Sequence, residues 1–155
     1  SLEAYREAVS DLLEDHIEGP VRRIEATIEA PVKETEVPER VLKAITTLFP
    51  ESEVETREDR VVATTYDLEH FRRRLFEQRI LDTARDVFLD RVGPRGFAFE
   101  LKKQAALEDV VTFSVGAPDE LGAIEVAVTV HDPGVAEFID FLAPATEDGT
   151  PPDSP

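Results

Sequence analysis

Strict alternation of apolar and polar side chains over residues 24–32 constrains the fold more than any other feature of this sequence. Within each set the side chains lie two residues apart. The apolar set is Ile24, Ala26, Ile28, Ala30 and Val32, and the polar set is Glu25, Thr27 and Glu29. Because successive side chains of a strand point to opposite faces, the pattern predicts a half-buried strand. One face of that strand lies in a core, and the other carries acids.

Helical periodicity appears at both ends of the chain and just after this strand. Residues 2–17 carry apolar side chains at helical spacing, and Gly19-Pro20 ends that amphipathic segment. Pro38 suits the first turn of a second helix, whose apolar face ends at Phe49-Pro50. Residues 134–142 predict a short closing helix.

The stretch from Leu68 to Val92 has two apolar faces. Leu68, Phe71 and Leu75 cluster on one side of a helical projection, and a second set lies about 145° away. One straight helix cannot direct both sets to a single core. We therefore predict two helices, at 67–76 and 78–91, with Asp67 as the first N-cap.

The remaining segments predict five more strands, at 52–57, 60–66, 97–102, 110–114 and 123–130, with a turn at Pro118–Gly122. The resulting order, β-α-β-β-α-α-β-β-β-α, predicts an α+β fold with a mainly antiparallel sheet and helices packed on one face. Residues 1–20 are predicted to form an N-terminal amphipathic helix, 21–143 the α+β domain, and 144–155 a disordered tail. Neither a membrane span nor a signal peptide is visible, so we expect a cytoplasmic protein.

The charge is strongly negative, with 34 acidic against 17 basic residues and a formal net charge of −17. Only four of the basic residues are lysines: Lys33, Lys43, Lys102 and Lys103. An acidic, lysine-poor surface suits a salt-rich cytoplasm, because salt screens its self-repulsion. We expect a halophilic source. The alternative is an acidic surface made for a basic partner.

Residues that form catalytic or metal-binding motifs are few. The chain has no Cys, and its three histidines, His16, His70 and His131, lack the i, i+4 spacing of paired metal ligands. Neither a G-x-S-x-G nucleophile elbow nor a P-loop is present. We therefore expect no enzyme activity, cofactor, metal or small-molecule substrate.

The basic residues concentrate between positions 72 and 103, where nine of the 17 lie. A basic segment in an acidic chain is typical of an anion-binding surface. The alternative is pairing along the helix, since Arg79, Asp82 and Arg85 stand three residues apart.

Arg95-Gly96-Phe97-Ala98-Phe99 fits the start of an aromatic RNA-recognition strand. In that strand the sixth and eighth residues are buried, but here they are Glu100 and Lys102, whose burial is costly. We therefore predict that Phe97 and Phe99 pack in the core.

The opposite face of the sheet then shows small side chains: Thr27, Ala98, Thr112, Ala127 and Thr129. Either the N-terminal helix or a second subunit could cover so flat a face. We expect a homodimer.

Four segments resemble the archaeal uncharacterised protein family 0201: PERVLKAITTLFP (38–50), EQRILDTAR (77–85), FELKKQAA (99–106) and LGAIEV (121–126). The resemblance runs from about Val21 to Ala143. It implies a fold similar to the RNA-binding domain of the large-subunit ribosomal protein that holds 5S ribosomal RNA, and with it RNA binding. Family members usually have Asn where Lys102 stands.

Matching these blocks to the basic segment gives the candidate RNA- or anion-binding residues: Gln78, Arg79, Asp82, Arg85, Lys102, Lys103 and Gln104. The sequence thus predicts a non-enzymatic domain that contacts structured RNA through these residues. The alternative is a protein-interaction or dimerisation module that keeps the fold without binding RNA.

Overall fold

The computed structural model describes residues 23–114, 122–132 and 134–146. The elements in chain order are β1 (Arg23–Pro31), α1 (Pro38–Leu48), β2 (Glu53–Thr56), β3 (Arg60–Thr65), α2 (Glu69–Glu77), α3 (Leu81–Asp90), β4 (Gly96–Leu101), α4 (Lys103–Leu107), β5 (Ile124–Asp132) and α5 (Val135–Leu142). The predicted α+β class is confirmed. The predicted N-terminal helix, most of the Pro118–Gly122 turn and most of the C-terminal tail lie outside the described residues.

The five strands form one antiparallel sheet in the order β2-β3-β1-β5-β4, so the alternating strand β1 lies at its centre. Thr27 pairs with Thr64 of β3 on one side and with Ala127 of β5 on the other. Gly96 opens the edge strand β4, where any Cβ would collide with the carbonyl oxygen of Val128. A glycine is therefore needed for β4 to approach β5 at this point.

The core lies between the helices and one face of the sheet. Ala26, Ile28 and Ala30 of β1 are fully buried there, as the alternation predicts. Phe97 and Phe99 are also buried and pack against helical aromatic rings, with centroids 4.9 Å apart for Phe88–Phe97 and 5.3 Å for Phe71–Phe99. The prediction that these two phenylalanines belong to the core is confirmed.

The long helical segment breaks into two helices, as its two apolar faces predict. The break falls at residues 78–80, and Arg79 takes a left-handed backbone conformation with φ of 57°. The predicted cap is wrong by one position: Leu68 occupies the N-cap of α2, although Asp67 Oδ1 accepts the Glu69 amide at 2.8 Å. Leu68 is buried and occupies the cap position itself, so the helix begins one residue later than predicted.

The predicted strand at 110–114 is wrong. After β4 the chain forms the short helix α4, and within residues 110–114 one isolated bridge, Leu101–Phe113, joins the chain to the sheet. The physical reason is helix α4, which begins at Lys103 directly after β4, so the pairing ends with the hydrogen bonds from the Lys102 amide to the Thr112 carbonyl and from the Ser114 amide to the Glu100 carbonyl. The backbone groups of Val111 point away from β4, and the side chain of Gln78 binds both of them.

None of the helices within residues 23–114, 122–132 and 134–146 combines the length and the hydropathy of a membrane span.

Candidate functional site

Lys103 is buried rather than presented to a ligand. Its side chain is 5% exposed, and its Nζ donates hydrogen bonds to the Pro31 carbonyl at 2.6 Å and to Glu36 Oε1 at 2.8 Å. The same Glu36 oxygen accepts the Lys33 amide at 2.9 Å. This arrangement satisfies a buried cation and ties the start of α4 to the segment that leads into α1.

Gln78 has an equally internal role. Its amide donates to the Val111 carbonyl at 2.9 Å and accepts the Val111 amide at 2.8 Å. A primary amide can make both contacts at once because it carries a donor and an acceptor side by side. The side chain is thus a replacement strand partner for Val111 and is half-buried.

Arg85 and Asp82, three residues apart on α3, do not pair with one another. The Arg85 guanidinium binds Asp140 of α5 at 2.7 Å and the Ala143 carbonyl at 3.1 Å. Asp82 accepts the Thr146 hydroxyl at 2.6 Å. Both residues therefore fasten the C-terminal part of the domain to α3, and the alternative, pairing of Asp82 and Arg85 along the helix, is not observed.

Three predicted site residues remain exposed: Arg79, Lys102 and Gln104. In the described part of the chain, no carboxylate lies within ion-pair distance of Arg79 or Lys102. Gln104 instead lines a cavity between α1 and α4. The structure therefore divides the predicted site residues between internal contacts and exposed positions.

The other arginines of the basic segment are also largely engaged. Arg72 lies between the rings of Phe76 and Phe141, at 4.7 and 4.1 Å from their centroids, and donates to the Phe141 carbonyl. Arg74 binds the Asp109 carbonyl and pairs with Glu77 at 3.3 Å. These two cations stabilise the packing of α2, so part of the positive charge of this segment has a structural role that needs no ligand.

A cavity of about 310 Å³ opens between α1 and α4. Its exposed polar lining residues are Thr35, Arg40 and Gln104, and its apolar ones are Val37, Val41, Ala44 and Leu107. The buried Lys103–Glu36 pair forms part of the same wall. Because this cation and this carboxylate bind each other, the cavity has no free nucleophile or base from that pair.

The exposed face of the sheet is the other extended surface, and we call it the outer face. Across its middle runs a row of small side chains in register: Thr64, Thr27, Ala127 and Ala98. Thr27 and Ala127 are exposed, as is Thr129 further along β5. The predicted small surface is confirmed at these positions and at the half-buried Ala98. The prediction is wrong for Thr112, which lies outside the strands.

A second row on the outer face is acidic, and the sequence predicts only part of it. Glu55, Glu29, Glu125 and Glu100 lie side by side on neighbouring strands, with Val62 between the first two. Arg60 pairs with Glu29 at 2.8 Å, and Arg91 approaches Glu100 at 3.9 Å. The alternation in β1 points to Glu29, but only the strand registers bring the other glutamates beside it.

Relatives of this chain carry a shared family name. A UPF0201 protein of Aeropyrum pernix is 35% identical over 147 residues, which cover 87% of this chain and 95% of that protein. A UPF0201 protein of Methanothermobacter thermautotrophicus is 35% identical over 119 residues, covering 76% of this chain and 89% of that protein. The chain belongs to the UPF0201 family.

The family membership agrees with the fold. The crystal structure of a UPF0201 protein from Methanococcus jannaschii superposes with a TM-score of 0.75 at 30% identity, covering 81% of this chain and 97% of that one. A second crystallised UPF0201 protein gives a TM-score of 0.74 at 34% identity, covering 82% and 98%. The predicted resemblance to this archaeal family is confirmed, whereas the likeness to the ribosomal protein stays a prediction.

A longer relative also exists. A UPF0200/UPF0201 protein of Archaeoglobus fulgidus is 35% identical over 134 residues, which cover 84% of this chain but only 40% of that protein. The UPF0201 chain thus spans less than half the length of that relative. No family model matches the sequence.

Proposed function

We propose that this UPF0201 protein is a non-enzymatic interaction module that forms a homodimer through the outer face of its sheet. The observation that carries the proposal is the asymmetry of the sheet: its inner face is buried beneath helices, while Thr27, Ala127 and Thr129 of the outer face are exposed. Side chains this small leave a flat surface against which another sheet can pack closely.

The size of this surface is compatible with a specific contact. Five strands about 4.8 Å apart span about 24 Å, and the outer face extends about 20 Å along β1 from Arg23 to Glu29. Two such faces in contact bury on the order of 1,000 Å², which is the lower limit for a specific protein–protein interface. The outer face is therefore large enough for a moderate self-association.

RNA binding through the basic segment is the less favoured function. Lys103 and Arg85 each hold a carboxylate within 2.8 Å, and Gln78 is occupied by Val111. A phosphate would have to displace these partners, and for the buried Lys103–Glu36 pair this costs several kcal/mol. The exposed Arg79 and Lys102 are the residues that an RNA test should remove.

The RNA test compares the wild-type protein with the double variant Arg79→Ala plus Lys102→Ala. We expect equal and low retention of structured RNA by both proteins in a filter-binding assay. Retention by the wild type that falls in the double variant would favour RNA binding over the interaction module.

The interaction test introduces a large charged side chain at the middle of the outer face. Ala127→Arg should shift the mass measured by light scattering from two chains to one, because a buried, unpaired guanidinium is not tolerated in a sheet-to-sheet contact. Ala136→Arg, at an exposed position of α5, is the matched control and should leave the mass unchanged. Equal masses for the two variants would contradict the proposal.

The acidic surface fits a salt-rich cytoplasm, and we propose that location for the protein. A net charge of −17 disfavours both folding and self-association at low ionic strength through repulsion. Concentrated salt shortens the screening length to about 3 Å near 1 M and removes most of this penalty. Dimerisation should therefore be measured at high as well as low salt.

A further inference from the structure

The cavity between α1 and α4 has the size of a site for a small molecule. It lies between two helices, whereas the proposed dimer uses the outer face of the sheet. Its volume of about 310 Å³ is the share of roughly ten water molecules at about 30 Å³ each. It therefore admits a molecule of roughly ten non-hydrogen atoms. Ligand sites in proteins are concave, mostly apolar and provided with a few polar groups that orient the ligand.

The wall of this cavity is apolar where α1 and α4 face each other. Val41 and Ala44 of α1 are buried beside it, and Leu107 of α4 is half-buried. Val37, directly before α1, belongs to the same wall and remains 52% exposed. Apolar side chains beside an open cavity lack contacts on that side, so an apolar group that fills it gains dispersion contacts and buries apolar surface. The body of a ligand for this cavity is therefore apolar.

The buried Lys103–Glu36 pair fixes one wall of the cavity in advance. Lys103 Nζ joins the start of α4 to the Pro31 carbonyl and to Glu36, which lies two residues before α1. Glu36 Oε1 also accepts the Lys33 amide, so this oxygen is engaged twice. A wall that is already ordered lowers the entropic cost of binding. The pair thus shapes the cavity, and its two charges cancel.

Arg40 is the remaining charged residue of the lining. Its side chain is exposed, and among residues 23–114, 122–132 and 134–146 no carboxylate lies within ion-pair distance of its guanidinium. Since Glu36 cancels Lys103, Arg40 leaves the lining with a net formal charge of +1 in a chain of −17. The exposed charges that flank the lining on the same segments also cancel, with Lys33, Lys43 and Lys102 against Glu34, Glu39 and Glu108.

The uncharged polar residues of the lining add hydrogen-bond donors beside Arg40. Thr35 carries a hydroxyl and Gln104 a primary amide, and both side chains are exposed. Neither has a hydrogen-bond partner in the part of the chain that the structure describes. A hydroxyl, an amide and a guanidinium all donate to an oxyanion, and a guanidinium binds both oxygens of a carboxylate through two parallel hydrogen bonds. The free polar groups of the lining therefore suit an anion rather than a cation.

We propose that this cavity binds a small carboxylate with an aryl or branched alkyl body. The apolar body lies against Val41, Ala44 and Leu107, and the carboxylate accepts hydrogen bonds from Arg40, with Gln104 beside it. One unpaired cation balances the single charge of a carboxylate, whereas it leaves a phosphate dianion with one charge uncompensated. The inference concerns binding and no reaction, and it is independent of the proposed dimer.

Amide chemical shifts of the isotope-labelled full chain test the site with two probes at fixed KCl concentration. Hydrocinnamate and isocaproate carry the carboxylate on an aryl and on a branched alkyl body. Each should shift amides within residues 35–44 and 103–107 and reach saturation. The uncharged amides of the same two acids should bind at least about tenfold more weakly, because they cannot form the charged pair with Arg40.

Two variants separate a contact with Arg40 from the general charge of α1. Arg40→Gln removes the unpaired cation and should weaken both carboxylates about tenfold, with the affinity for their amides unchanged. Lys43→Gln is the matched control, since it removes the same charge from the same helix at a position outside the lining. It should change every affinity by less than about twofold, because salt screens exposed charges that do not touch the ligand. Both positions are exposed, so both variants should fold.

Three results would overturn the inference. If neither probe shifts residues 35–44 and 103–107, the cavity does not take a ligand of this class. If each carboxylate binds no better than its amide, or if Arg40→Gln and Lys43→Gln lose equal affinity, Arg40 does not hold an anion there. If the shifts follow the protein concentration instead of the probe concentration, a second copy of the chain occupies the cavity. None of these readings uses Ala127→Arg, so a failure of the proposed dimer is distinguished from a failure of this site.

Discussion

The Nζ of Lys103 lies 2.8 Å from Oε1 of Glu36, and both side chains are shielded from solvent. These two residues are 67 positions apart, so the pair closes a long loop of chain. It explains why a lysine that the family pattern marks as a candidate ligand contact is instead part of the framework. Removing one member of a buried ion pair leaves the other charge unpaired, which is costly. The substitution of Lys103 should therefore destabilise the fold.

Replacing Lys103 should destabilise the fold far more than replacing its neighbour. Lys103→Met leaves the Glu36 carboxylate and the Pro31 carbonyl without their donor, which we expect to cost about 3 kcal/mol of unfolding free energy. Lys102→Met, at an exposed position, should change it by less than about 0.5 kcal/mol. Urea unfolding of both variants measures the difference, and equal effects would show that the buried pair contributes nothing.

A substitution of Gln78 that changes its hydrogen-bonding pattern should destabilise the protein. Gln78→Glu keeps the size of the side chain and can still accept the Val111 amide, but it sets a carboxylate oxygen against the Val111 carbonyl. We expect a loss of about 1–3 kcal/mol in unfolding free energy and faster amide exchange at residues 110–113. Gln104→Glu, on the exposed side of α4, is the control. Unaltered exchange in the Gln78 variant would contradict the role of this amide.

The backbone at Arg79 should prefer glycine. A non-glycine residue in the left-handed region is strained by about 1 kcal/mol, and in the described residues no carboxylate pairs with this side chain to compensate. Arg79→Gly should therefore raise the unfolding free energy by up to about 1 kcal/mol. Arg73→Gly, inside α2, should lower it by about the same amount. Destabilisation of similar size in both variants would show that the strain at 79 is negligible.

Salt should stabilise this protein. Raising KCl from about 0.2 M to about 2 M screens repulsion among surface carboxylates, so the melting temperature should rise. The double variant Glu53→Gln plus Glu55→Gln removes two exposed carboxylates from β2 and should show a smaller rise. A melting temperature that is flat or falls with KCl would favour the alternative, an acidic surface made for a basic partner.

The sequence predicts the parts of this fold that depend on local periodicity. The alternation in β1 identifies a half-buried strand with an open face, and the two apolar faces of residues 68–92 identify a break between helices. No local periodicity distinguishes the adjacent residues Lys102 and Lys103. Which one is buried depends on Glu36, a residue that only the tertiary fold brings close.

The same limit applies to the errors at 110–114 and at the candidate site. The segment 110–114 has the composition of a strand, but its neighbour β4 ends at Leu101 and the chain turns into α4 at Lys103, so only one bridge to β4 forms within 110–114. The basic segment looks like a ligand surface because the groups that bind its cations, among them Glu36, Asp140 and the Asp109 carbonyl, lie elsewhere in the chain. Counting charge within a window cannot detect partners that arrive from other elements.

The mass of the wild-type protein in solution, measured by sedimentation equilibrium over a hundredfold range of concentration, tests the central claim most directly. In about 2 M KCl, where repulsion between the acidic surfaces is screened, we predict the mass of two chains at the upper concentrations and dissociation towards one chain on dilution. The mass of a single chain at every concentration and salt would contradict the assignment of the outer face as a self-association surface.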